Sequence, residues 1–413
     1  MHGQKSSDLP IETWCERYEA GDARGQQTRF ITEGFRFTRA TINWEKRMTA
    51  ATTPIKYKSP LHQMTDTTPT CLWNDSASIP ELTYALDHGA VGGTCNPVIV
   101  YGMLKKELAS WKDRIRALVD KYPTATEDQI GWRIVREISA ESSRVLMPAF
   151  EKHRGRNGRL SIQTDPRLYR NTQAMVDQAL EFDKLAPNMI VKIPATTDGI
   201  SAMEQATYQG VSINATVCFT LPQCVAVAEA IERGLRKRER EGKEIAAMGP
   251  VCTIMVGRLD DWLKVVAEKQ NITIDPGYLE WAGVTVFKRT YQLFRERGYR
   301  VRLLSAAFRN HMHWSELIGG DVVISPPHAW QVRFNASDIE VRPRIDDSVN
   351  PQIVDELSRR FKDFCRASTE NGLSLQEFNS FGATRRTLRQ FIKACYDLNA
   401  LVLDTLIPNP DEV

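Results

Sequence analysis

Lys192 stands alone in an otherwise apolar run, Met189-Ile190-Val191-Lys192-Ile193-Pro194-Ala195. A run this apolar reads as a strand buried on both faces, as in a parallel sheet. An ammonium placed there loses its hydration, so the site must either pair it or lower its pKa. Bringing a lysine from about 10.4 down to about 7 costs roughly 4–5 kcal/mol. The common use of a neutral buried amine is attack on a carbonyl to form a Schiff base. From the strand alone two other readings stay open, a lysine paired with a carboxylate and one snorkelling from a strand end. Further polar residues close other apolar runs: Asp75, Asn96, Gln163 with Asp165, Asn214 with Thr216, the stretch from Thr253 to Arg258, and Arg309. Side chains alternate along a strand, so Lys192 shares a face with Ile190 and Pro194, and Asn214 shares one with Thr216. Polar residues recurring inside apolar strands point to one polar cavity.

The elements that must position them are short apolar runs alternating with helical patterns from about residue 68 onward. The runs are 70–75, 91–96, 160–165, 189–195, 211–219, 250–256, 301–308 and 321–325. Between them lie amphipathic stretches. One carries Ile130, Ile134 and Ile138 and opens with a Thr126-x-x-Gln129 capping box. Another runs over 225–235, with Thr220 as N-cap and Pro222 in the first turn. Eight strands alternating with helices predict an α/β fold, a parallel (β/α)8 barrel of the TIM type, with chemistry at the C-terminal strand ends. A doubly wound sheet is the competing architecture, but no Gly-x-Gly-x-x-Gly follows the first run.

Two segments fall outside the repeat. Residues 1–67 are polar with scattered aromatics and read as an N-terminal extension, partly helical and partly disordered; residues 68–413 hold the barrel. After the eighth run, Ile353, Val354, Leu357 and Phe361 mark one helix. Leu388, Phe391, Ile392, Cys395 and Leu398 mark another. Both are expected to wrap back over the barrel. The mixed-charge run 233–243 reads as a solvated helix end.

Composition narrows the function class. Of 413 residues, 42% are hydrophobic and 25% charged, ordinary for a soluble globular protein. A formal net charge of +3 is too small to argue for a nucleic-acid or anionic-membrane partner. No stretch approaches the roughly 20 apolar residues of a membrane span. Met1-His2-Gly3-Gln4-Lys5 has no hydrophobic core of a secretory signal. The eight cysteines include no Cys-x-x-Cys pair, and several lie in apolar runs where Cys acts as a small hydrophobe. The expectation is a reduced, cytoplasmic protein.

Ordered motifs then make the chain recognisable. Leu72-Trp73-Asn74-Asp75, Gly93-Thr94-Cys95-Asn96-Pro97, 160–168 (LSIQTDPRL) and Ile190-Val191-Lys192-Ile193-Pro194-Ala195-Thr196 occur in the order seen in transaldolases. So do Ile213-Asn214-Ala215-Thr216, Val256-Gly257-Arg258-Leu259-Asp260 and Ala306-Ala307-Phe308-Arg309-Asn310. The segment 381–388 (FGATRRTL) resembles the family's C-terminal helix. The resemblance covers roughly residues 68 to 405. It implies a class I Schiff-base mechanism with neither metal nor organic cofactor, acting on sugar phosphates in the pentose phosphate pathway. Lys192 would hold a dihydroxyacetone unit as an iminium, and Asp75 would act as general base. Asn96, Asn214 and Thr253 would bind the dihydroxyacetone hydroxyls, with Thr253 where the family usually has Ser. Thr216 would hold the water that shuttles protons. Arg258 and Arg309 match the phosphate-binding arginines, and two forked guanidiniums at neighbouring strand ends suit a bidentate clamp. Family members assemble as dimers or larger rings, so a homodimer is expected.

The pattern is broken in three places. Transaldolases usually carry Glu where Gln163 stands, and an amide can orient a water but cannot exchange its proton. Gln there resembles the fructose-6-phosphate aldolase branch, which is built from much shorter chains. Met255 stands where the branches carry Phe or Tyr. Ala307 stands where the family places a phosphate-contacting Ser, a loss on the order of 1 kcal/mol. His311-x-His313 offers a metal reading only on a loop, since i, i+2 residues do not share a helix face. Asp165 reads as a structural cap for the turn after Pro166. Three functions are carried forward: a transaldolase, an aldolase that releases free dihydroxyacetone, and an inactive barrel used as a scaffold.

Overall fold

The computed structural model describes residues 57–412, so most of the expected extension lies outside the described residues. Each of the eight apolar runs supplies one strand, shifted by a residue or so. These are β1 (Cys71–Asn74), β2 (Ala90–Cys95), β3 (Arg159–Gln163), β4 (Met189–Pro194), β5 (Ile213–Cys218), β6 (Val251–Ile254), β7 (Arg302–Ser305) and β8 (Val323–Ile324). They pair in chain order, all parallel, and β8 closes onto β1 through Cys71–Val323 and Leu72–Ile324. The (β/α)8 barrel is the fold.

Strand alternation sorts the side chains into two cores. Trp73, Ile190, Val251, Leu304, Ala306 and Val323 form a separate apolar cluster, the plug inside the barrel. Leu72, Val191, Ile193, Ala215, Cys252 and Ile324 join the larger core beneath the helices. Burying each large apolar side chain stabilises by roughly 1.5–3 kcal/mol, which offsets the polar groups held beside them. Two residues beyond the plug position, three strands turn polar: Asp75 follows Trp73, Lys192 follows Ile190, and Thr253 follows Val251. The period of two thus lifts the chemistry to a floor just above the plug.

The helix caps fall where the sequence places them. Glu127–Lys152 starts at a complete capping box of Thr126 and Gln129. Leu221–Arg240 starts at Thr220, whose hydroxyl accepts from the Gln223 N–H. Its far end is exposed, with Arg233 paired to Glu204, as a solvated helix end should be. Pro351–Arg360 buries Ile353 and Leu357, and Gly382–Leu406 buries Leu388, Phe391, Cys395 and Leu398. That last helix packs on the helices Pro97–Lys106 and Glu127–Lys152. A short helix, Pro60–Thr67, belongs to the same compact unit, Ser59–Val413. It buries Leu61 and Met64, and the Trp314 indole N–H reaches the Met64 sulfur at 3.2 Å. Among the described residues, no helix is long and apolar enough to cross a membrane.

Candidate active site

Register brings the central residues together. Lys192 lies directly opposite Gln163 on β3 and Asn214 on β5, and Pro194 lies opposite Thr216. Residues paired across a ladder point to the same side, so these side chains share the barrel interior. Lys192 is 5% exposed, and its Nζ lies 3.5 Å from Thr94 Oγ1. Among the described residues no carboxylate lies within ion-pair distance of it, although Asp75 is near enough to act on it through its charge. Burial pushes the amine below its ordinary pKa, while the charge of Asp75 pulls it partly back. Asp75, half-buried just beyond β1, is shifted the other way: burial raises its carboxyl, and Lys192 and Arg258 oppose the rise. Burial thus favours the uncharged form of each group, the free amine of Lys192 and the carboxylic acid of Asp75, and the charge of each opposes that effect on the other.

A hydrogen-bonded band lies beside the amine. Thr253 Oγ1 donates to Asn214 Oδ1 at 2.6 Å, and Asn214 Nδ2 donates to Ser161 Oγ at 3.0 Å. Asn214 is thereby locked in one orientation. Gln163 is 2% exposed, and its amide oxygen is buried with no hydrogen-bond partner among the described residues. A buried acceptor left open costs about 1–3 kcal/mol and suits a water or substrate hydroxyl. Thr216 is buried, with Oγ1 4.0 Å from the Met255 sulfur. Asn96 follows β2 and caps the helix Pro97–Lys106, its Oδ1 accepting from the Ile99 N–H at 3.0 Å. That role uses the oxygen and leaves the amide NH2 for a ligand.

The arginines are close to each other, but their forks are not open as the sequence suggests. Arg258 sits in the first turn of Val256–Lys269 and donates to Gln390 and Thr387 of the final helix. Its guanidinium lies over the Phe391 ring, 5.3 Å from the centroid, and its Nε is buried without a partner. Burial, with Arg309 nearby, lowers its pKa to about 10. Arg309, in the loop after β7, is gripped by Asp261: Nε and Nη2 reach Oδ2 at 3.0 and 2.7 Å. Gly257 is what lets that loop approach, because a Cβ there would run into the Ala307 carbonyl and the Arg309 side chain. Ala307 itself has φ 65, a left-handed backbone in which a non-glycine residue is strained.

The secondary candidates resolve into structure. His313 is fully buried; its Nδ1 accepts from the Arg309 N–H at 3.1 Å, so the network puts the proton on Nε2, 2.8 Å from Asp260 Oδ2. His311 Nδ1 instead meets Ser315 Oγ at 3.1 Å, and the two histidines do not converge on a metal position. Asp165 caps the turn Pro166–Leu168 and pairs with Arg167. Sequence reasoning missed Thr94, Ser161, Asp261 and Gln390. Strand parity could have found the first two, which alternate with Asn96 and Gln163. The partners Asp261 and Gln390 are set by tertiary packing. Two clefts of about 750 and 610 Å³ lie elsewhere, one along Lys288–Tyr291 and Asp346–Val349, one at the N-terminal strand ends. Neither is lined by the residues above.

Comparison with known proteins bears on this arrangement directly. Residues 72–393 match the family described as transaldolase/fructose-6-phosphate aldolase. A transaldolase from Thiobacillus denitrificans is 36% identical over 252 residues, 55% of this chain and 67% of that protein. A transaldolase from Thermobifida fusca is 31% identical over 214 residues, 49% of this chain and 56% of that protein. One from Saccharopolyspora erythraea is 31% identical over 176 residues, 42% of this chain and 47% of that protein. The chain spans about half to two thirds of the length of these relatives.

Proposed function

Because the chain belongs to the transaldolase/fructose-6-phosphate aldolase family, we propose that it moves a dihydroxyacetone unit from a ketose phosphate to an aldose phosphate. Sedoheptulose 7-phosphate and fructose 6-phosphate are the donors this reading takes, in the pentose phosphate pathway. The observation that carries it is a buried lysine that, among the described residues, forms no ion pair and lies opposite Gln163 and Asn214 across the ladder.

The neutral Lys192 amine attacks the ketose carbonyl, and loss of water leaves an iminium. Asp75 takes the proton of the hydroxyl beside the scissile bond; that bond's electron pair moves into the iminium, the aldose phosphate leaves, and an enamine remains. The enamine attacks the acceptor aldehyde, and water releases the product. Asn96, Asn214 and Thr253 hold the dihydroxyacetone hydroxyls. Thr216 holds the catalytic water, and Gln163 orients it through its open amide oxygen. Arg258 and Arg309 take the phosphate, with Arg309 exchanging Asp261 for it. A cytoplasmic setting fits the buried thiols Cys95, Cys218, Cys224 and Cys252. A homodimer is the assembly we propose, and Tyr396 and Leu403 on the final helix, with Ile407 just past its end, offer exposed apolar surface for it.

Borohydride reduction in the presence of fructose 6-phosphate tests the reading. Peptide mass analysis should find the dihydroxyacetone adduct on Lys192. An unmodified Lys192 would overturn the mechanism and favour the scaffold. Release of free dihydroxyacetone at the same rate with and without an aldose phosphate acceptor would identify a simple aldolase instead.

A further inference from the structure

The described residues contain one cluster with metal-ligand geometry, and it lies outside the site above: Cys218, Cys224 and Cys252 bring their sulfurs within 4.8 Å of one another. Its origin is a bulge in β5. Asn214 and Thr216 point into the barrel, and strict alternation would send residue 218 inward too. Val217 interrupts the alternation with φ 52, and the pairing with β6 shifts between Ala215 and Cys218. Cys218 therefore lands opposite Ile254, on the outer face it shares with Cys252. The first turn of the helix Leu221–Arg240 lays Cys224 over both, and Cys218 and Cys224 sulfurs are 3.4 Å apart. Gln223 fixes the bulge, donating to the Ala195 and Val217 carbonyls at 2.9 and 3.1 Å and accepting from the Phe219 N–H.

We propose that these three thiols form a binding site for a trivalent thiophilic species, arsenite being the representative ligand. All three residues are fully buried, with no carboxylate, imidazole or fourth sulfur in the cluster. A pyramidal trivalent centre with bonds of about 2.3 Å to three thiolates holds the sulfurs about 3.5 Å apart, a spacing the Cys218 and Cys224 sulfurs already have at 3.4 Å and Cys252 reaches with a small side-chain adjustment. Charge and coordination number select the ligand. Zinc with three thiolates keeps a negative charge and wants a fourth donor, and a cuprous ion leaves two negative charges in an apolar core. A trivalent arsenic tris-thiolate is neutral and complete with three sulfurs. In the reaction three S–H and three As–O bonds break, three As–S bonds form, and three waters leave. Arsenic stays trivalent, so no oxidant or reductant is needed. Arsenite is an uncharged molecule at neutral pH, so it can reach a buried site through local opening. The inference does not depend on the transaldolase reading.

The test uses the reduced, full-length protein, incubated with equimolar sodium arsenite, desalted and weighed intact. One arsenic less three hydrogens should be gained per chain, and arsenic X-ray absorption should show three sulfur neighbours and no oxygen. Cys252→Ser and Cys224→Ala should each lose the adduct on desalting. No adduct, the same adduct in Cys252→Ser, or fewer than three sulfurs around arsenic in the unaltered protein would overturn the site. The absorption measurement needs no variant, so a failure of either variant to fold leaves the proposal exposed to refutation.

Discussion

Gln163 and Lys192 face each other across the β3–β4 ladder, and the Gln163 amide oxygen has no hydrogen-bond partner among the described residues. A substitution to glutamate would put a carboxylate beside the amine without changing the size of the side chain. Two consequences follow from charge alone. The carboxylate can exchange protons with the water that the proposed mechanism places there, which an amide cannot. It also favours the ammonium form of Lys192. Gln163→Glu should therefore raise the ratio of transfer to simple cleavage severalfold, and shift the acid limb of the kcat/KM profile to higher pH. Product ratios with and without an acceptor, measured across pH, check both. An unchanged ratio would mean that other residues organise the water.

Lys192→Met should abolish turnover and leave the fold intact, since it replaces a desolvated amine with an apolar chain of similar length. The sign of the pH dependence follows from the lowered pKa. Between the folded value and the ordinary one near 10.5, the unfolded chain binds more protons, so stability contributed by this group rises with pH. The variant lacks that dependence. It should match or exceed the parent in Tm at pH 7, with the advantage shrinking towards pH 10. A marked loss of Tm at neutral pH would make the lysine structural.

Asp261 occupies the Arg309 fork that the proposed function assigns to phosphate. The pair is partly exposed, with side chains 37% and 28% accessible, so its contribution is at most about 1 kcal/mol. Asp261→Asn should then lower KM for a phosphorylated ketose by up to about fivefold and leave kcat nearly unchanged. A raised KM would show that Asp261 presents Arg309 to the ligand instead of withholding it.

The barrel was legible because its signal is periodic. Every strand is an apolar run, and the break at Lys192 marks where the plug ends and the polar floor begins. Parity also placed Asn214 and Thr216 together. It failed at Cys218, because one residue with positive φ, Val217, reverses the alternation after it, and Val is not a residue whose type announces a left-handed backbone. The partners of the arginines were hidden for another reason. Asp261 lies three residues after Arg258 on the same helix, yet it turns to Arg309 from the β7 loop. Gln390 comes from the final helix. Such pairings are fixed by how loops fold over the barrel mouth, which local spacing does not encode.

The buried pair of His313 and Asp260 should matter more to stability than any surface ion pair. Both side chains have no exposure, and Asp260 also accepts from the Gly283 N–H at 2.8 Å. Removing the imidazole leaves a carboxylate in the core with one backbone donor, a loss of roughly 3–5 kcal/mol. His313→Ala should therefore show a large fall in Tm, along with weaker phosphate binding as the Arg309 backbone loses its acceptor. Burial already raises the Asp260 pKa, and His313 opposes that rise. Without the histidine the carboxyl is raised further, so the folded variant binds more protons than the unfolded chain as pH falls. Its Tm deficit should consequently be smaller at pH 5 than at pH 8, and Asp260→Asn in the same background should recover part of it. A small deficit, flat in pH, would mean that water takes the place of the imidazole and that the pair is not what holds the β7 loop.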